Sequence, residues 1–89
     1  MNTNLLITQP QAREYPPLAI RFAAEQDEPA VSRLAALDSA RVPGGLLLLA
    51  EVHGDLLAAL SLTDGRAIAD PYRRTAHLLE MLRAAAAAA

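Results

Sequence analysis

Two apolar runs, Leu46 to Val52 and Asp55 to Leu62, stand on either side of the dipeptide His53-Gly54, and no other feature constrains the fold as strongly. A two-residue connection between strands demands positive φ at both central positions. Glycine adopts it freely, and histidine is among the more tolerant of the remaining residues. The pattern therefore predicts a tight β-hairpin. Its leucines also alternate in direction, so Leu46 and Leu48 project to the face opposite Leu47 and Leu49. At least one end of the hairpin must be covered on both sides, and the fold needs a helix on each face of the sheet.

The flanking segments supply those helices. Leu18 to Phe22, with β-favouring Ile20 and Phe22, reads as a first strand after Pro16-Pro17. From about Gln26 to Asp38, Val31, Leu34 and Leu37 recur at helical spacing beside Ala30 and Ala35. Glu25, Asp27 and Glu28 suit the positive end of that helix's dipole, and Pro29 is tolerated only near its first turn. Pro43-Gly44-Gly45 is a turn, and so is Thr63-Asp64-Gly65, which leads to a brief strand at Arg66 to Ala69. Asp70-Pro71 predicts a helix start, with Asp as N-cap and Pro at the first helical position. The stripe Tyr72, Ala76, Leu79 and Leu82, widened by Leu78 and Met81, carries that helix into the alanine run 84–89, with Arg73, Arg74, His77 and Glu80 on its solvated side.

The expected fold is α+β, in the order strand, helix, strand, strand, short strand, helix, with a mainly antiparallel sheet. It occupies residues 18–89. Residues 1–17 read as a flexible extension, whose Leu5, Leu6 and Ile7 could instead add a strand to a sheet edge.

Composition excludes several classes of function. At 89 residues the chain is one small domain, which buries only about 60 to 65% of the surface its unfolded form exposes. A net charge of -2 and three aromatic residues, Tyr15, Phe22 and Tyr72, argue against a nucleic-acid binder. With no cysteine there is no disulfide, thiolate metal site or thiol nucleophile, and the expected compartment is the cytoplasm. No apolar run reaches the roughly 18 residues that span a bilayer, so no membrane partner is expected. All eight basic residues are arginine, and alanine and leucine fill 36 of the 89 positions. That bias fits a GC-rich bacterial genome.

The order of elements, the segment Ile20-Arg21 with Ala23 and Asp27, the stretch Arg33 to Asp38, and the hairpin Leu49 to Ala59 resemble the N-terminal half of the GNAT family of N-acetyltransferases, over roughly residues 18–82. In that family a glycine loop, Arg/Gln-x-x-Gly-x-Gly/Ala, presents backbone N–H groups and a helix N-terminus to the pyrophosphate of acetyl-CoA. Here no glycine lies between Ile68 and the last helix; Asp70-Pro71-Tyr72-Arg73-Arg74 looks like a contracted approach to it. Arg41-Val42-Pro43-Gly44-Gly45-Leu46 is a near miss that leads into a strand instead of a helix. The resemblance covers about half of a full acetyltransferase fold.

These features give two expectations. One is a non-catalytic, acetyltransferase-like structural or protein-interaction module, homodimeric because uncovered strand edges or a bare sheet face call for a partner. It has no cofactor, and a regulatory partner of a separate enzyme is a variant of it. The other is an acyl-CoA-binding protein or N-acetyltransferase whose acetyl-CoA site is completed across a dimer, with Arg73 and Arg74 gripping phosphates. For that chemistry the resemblance points to Glu51 as a base and Tyr72 as an acid toward a thiolate. Ion pairing or solvent exposure is the simpler account of Glu51, and packing the simpler account of Tyr72. Arg66, Arg73 and Arg74 read as a solvated charged face. His53 fits its turn, and His77 with Glu80 is too small a set for a metal.

Overall fold

The computed structural model describes residues 15–89. The proposed strand at Leu5 to Ile7 lies outside them. Strands β1 (Ala19–Phe22), β2 (Leu47–Val52), β3 (Asp55–Ser61) and β4 (Ala67–Ala69) form one antiparallel sheet in the order β1-β2-β3-β4. Helix α1 (Glu28–Leu37) follows a single 3-10 turn, Glu25–Asp27, and α2 (Ala76–Ala88) ends the chain. The fold is α+β in the expected order.

The hairpin forms as its turn chemistry requires, with φ of 50° at His53 and 88° at Gly54. Glycine is needed here twice over, because a Cβ on Gly54 would also approach to about 3.0 Å of the Tyr15 ring. The backbone N–H of His53 donates to the carbonyls of Pro16 and Pro17 at 3.2 and 3.3 Å. Residues 15–17 thus rest against the hairpin turn.

The two faces expected of the leucine run are both used. Leu47 and Leu49 join Ala59 and Ile68 beneath Val31, Leu34 and Ala35 of α1. Leu48, Ala50, Ala58 and Leu60 meet Leu78 and Leu82 of α2 on the other side. A bulge at Ala50/Glu51 shifts the register, so that Ala50 opposes Ala58 while Glu51 opposes Leu56. Leu57 and Ala58, though consecutive, can then both serve the α2 face. Leu37, counted on the α1 stripe, is exposed.

Helix α1 stops in a Schellman motif. The N–H of Ala40 donates to the carbonyl of Ala35 at 2.9 Å and that of Ser39 to Ala36 at 3.1 Å, with Ser39 in the left-handed region at φ 53°. The carboxylate of Asp38 accepts the outward N–H of Ala69 at 3.0 Å, tying the helix end to β4.

The expected start of the last helix is corrected. Asp70 does not cap it; α2 begins at Ala76 after Thr75. The N–H of Asp70 donates to Leu57 at 2.9 Å, so this residue still belongs to the ladder. Its Oδ1 accepts the N–H of Tyr72 at 2.8 Å, closing a turn. An Asp-Pro pair serves turn and helix start alike, and the ladder bond holds Asp70 in the former. Tyr72 consequently leaves the predicted stripe and is 81% exposed. The buried stripe of α2 centres instead on Leu78 and Leu82, with Leu79, Ala85 and Ala86 beside them, while Met81 is exposed.

Candidate functional site

The most organised polar group gathers around Arg21, on the α1 face near the bulge. Strand alternation turns Arg21 away from Ile20 and Phe22, towards the 3-10 turn and β2. Its Nη1 and Nη2 donate to Asp27 at 2.8 and 2.7 Å. Its Nε and Nη2 donate to Glu51 at 3.1 and 3.0 Å. A contact from Nη1 to the carbonyl of Phe22 at 3.3 Å completes the set, so one planar guanidinium holds two carboxylates by paired bonds and leaves no donor direction idle.

Asp27 has a second duty. Its Oδ2 accepts the N–H of Ala24 at 2.7 Å, while its own N–H donates to the Ala24 carbonyl at 2.9 Å. It thereby satisfies the backbone N–H of Ala24, which precedes the turn and has no partner within it, as the N3 carboxylate of a capping box does. The Arg21 fork first, and the Ala24 N–H second, hold the Asp27 carboxyl down at about 2 from its ordinary 3.8. The same pairs raise the affinity of Arg21 for its proton.

Two open grooves border this cluster. The larger, about 450 Å³, lies between the start of α1 and the Val42–Leu47 segment, with Val31, Val42, Pro43 and Leu47 as apolar lining and Glu25 and Glu28 also lining it. The smaller, about 260 Å³, is bordered by Asp27, Glu51, Arg33, Asp55, Asp70 and Arg73. Among the described residues no cluster of three or more His, Asp or Glu could hold a metal.

Glu51 therefore sits where sequence placed it, in a central strand and half-buried, but its carboxylate is bonded to Arg21 instead of facing a substrate. Tyr72, Arg73 and Arg74 are exposed in the segment between β4 and α2. Arg73 reaches the border of the smaller groove; Tyr72 and Arg74 line none of the grooves described here. No side chain caps α2, since Thr75 makes no capping bond. Arg66 belongs to another group altogether: its Nη2 donates to the Arg41 carbonyl at 3.0 Å, and its N–H to Asp64 Oδ1 at 2.8 Å. That bond is the chief reason the Asp64 carboxyl lies below its usual range. His53 occupies the hairpin turn, and His77 is exposed on α2.

The Arg41 to Leu46 near miss is likewise taken up by the fold. The N–H of Gly44 donates to Asp64 at 3.2 Å and that of Leu46 to Thr63 Oγ1 at 3.2 Å. Buried Ser61 organises this end, donating to the Gly44 carbonyl at 2.6 Å and accepting the N–H groups of Thr63 and Asp64 at 3.0 and 2.9 Å. At least two of the loop's amides are thus committed to the protein itself.

Arg21 and Ser61 are hubs that no motif in the sequence marks. The signal for Arg21 was the charge between Ile20 and Phe22, aimed by alternation at the acids 25–28; the signal for Ser61 was a lone hydroxyl ending an apolar strand. No family model matches the chain, no curated protein is similar enough to count as a match, and no solved structure matches it.

Proposed function

We propose that this chain is a non-catalytic, acetyltransferase-like structural or protein-interaction module that works as a homodimer. The observation that carries the reading is the double clamp of Arg21 on Asp27 and Glu51. It turns the one carboxylate suited to base catalysis into a strut between β1, the α1 entry and β2. The glycine-free passage from β4 to α2 supports the same reading, because every residue in it carries a side chain between the backbone amides and a phosphate.

One feature favours a second reading. The first turn of α2 has no side-chain cap, and Arg73 and Arg74 precede it, an arrangement that an acyl-CoA-binding protein or a dimer-completed N-acetyltransferase would use. Isothermal titration with acetyl-CoA and with free CoA separates the two. The module reading expects no saturable heat. A Kd at or below about 100 μM, roughly -5.5 kcal/mol, that is lost when Arg73 and Arg74 are both changed to Ala, establishes the second.

A further inference from the structure

Among the described residues strand β1 is an edge of the sheet, and the backbone groups it turns outward are bounded and self-complementary. In its ladder with β2, Ala19 opposes Glu51, Arg21 opposes Leu49, and Ala23 donates to the Leu47 carbonyl at 3.0 Å. Residues 19, 21 and 23 therefore spend their backbone groups on β2, and the alternate residues Leu18, Ile20 and Phe22 turn theirs outward. At one end of this open edge stands Pro16, which has no N–H. At the other stands Ala24, whose N–H and carbonyl are both occupied by Asp27.

The side chains of the three outward residues are all apolar. Leu18 and Ile20 pack at the margin of the α2-side core, and Phe22, on the same face by alternation, is 49% exposed. Arg21, the one charge in the strand, is turned to the other face and tied to Asp27 and Glu51, so no charge or proline stands on the face that these three present.

We infer that β1 is the dimer interface, pairing antiparallel with β1 of a second copy about a two-fold axis at Ile20. This rests on the homodimeric reading above and names its surface. In this register Ile20 faces Ile20, and Leu18 faces Phe22 of the second copy, so every outward group of the strand finds a partner. Pro16, lacking a donor, falls opposite Ala24, whose groups are already used. Arg21 falls opposite Ala19, which keeps the two guanidinium clusters from meeting head-on. Leu18 and Phe22 cover each other on the α2 side, and two four-stranded sheets become one.

The absence of cysteine makes the register directly measurable. Light scattering of the full chain at tens of micromolar is expected to give twice the monomer mass, and Phe22→Lys to return it to the monomer with its circular dichroism unchanged. Ile20→Cys is expected to form a covalent dimer on mild oxidation, since facing Cα atoms of a hydrogen-bonded pair lie about 5.5 Å apart, within disulfide reach. Ala19→Cys, offset from its own copy and on the other face, is expected not to. A monomeric parent protein overturns both this interface and the homodimeric reading. A dimer that survives Phe22→Lys, and whose Ile20→Cys form stays uncrosslinked, overturns the interface alone.

Discussion

Asp27→Asn tests whether the Arg21 clamp stabilises the fold through charge. Lowering the carboxyl from 3.8 to about 2 corresponds to at most about 2.4 kcal/mol, at about 1.36 kcal/mol for each tenfold change in proton affinity. The Asp27 side chain is only 13% exposed, but its partner Arg21 is 40% exposed, so solvent screening reduces this to about 1 kcal/mol. For 89 residues, unfolding entropy of about 2.1 cal/mol/K per residue converts that to a fall of about 5 °C in Tm at pH 7. The pH dependence is the sharper readout. The folded carboxyl binds its proton less tightly than the unfolded one, so its stabilisation is complete above about pH 5 and is lost as pH falls through 2. At pH 3 at least about half of it should have gone. Thermal melts of both proteins by circular dichroism between pH 2.5 and 7 give the difference at each pH. A Tm difference that stays constant across this range, or that is absent at pH 7, would refute the argument.

Other expectations concern the loops that frame the sheet. Ser39→Gly removes the penalty of a left-handed side chain at φ 53° and should raise stability by about 0.5 to 1 kcal/mol, read as a higher denaturant midpoint at unchanged slope. Gly45→Ala should lower it by at least about 2 kcal/mol, because φ is +73° and the added methyl would run into the Thr63 side chain; a neutral result would show that this loop yields easily. Ser61→Ala should cost about 2 to 3 kcal/mol in the same assay, since it removes an acceptor from two N–H groups and a donor from the Gly44 carbonyl.

How far the chain could be read from its residues depended on whether the signal was local. The His53-Gly54 turn states its own φ requirement, and Leu47, Leu48 and Leu49 demanded helices on two faces because alternation leaves no other way to bury them, while Leu46 lies ahead of the strand and is exposed. Asp70-Pro71 misled because the same dipeptide closes a turn or opens a helix, and the choice was made by a bond to Leu57, thirteen positions away in sequence. Tyr72 followed it out to solvent. Glu51 was found by its place in a central strand, but its bond to Arg21 spans thirty positions and depends on the β1–β2 register, which is not written in the local pattern. Side-chain hubs of this kind arise from tertiary neighbours, which is why the clamp and the Ser61 network emerged only with the fold.

The strand order β1-β2-β3-β4 has a consequence for how quickly the molecule assembles. Each strand pairs only with its immediate predecessor and successor in the chain, so the mean separation between contacting segments is short for a sheet protein, a property that goes with rapid folding. The hairpin closes across two residues and β4 adds across five, whereas β1 must close a connection of twenty-four residues, from Ala23 to Leu46, to reach β2. By loop-closure entropy that last step is harder by about 2 kcal/mol than closing the hairpin, unless α1 forms early and shortens the flexible path. The β2-β3-β4 meander is thus the natural nucleus, and β1 the strand whose arrival completes the sheet.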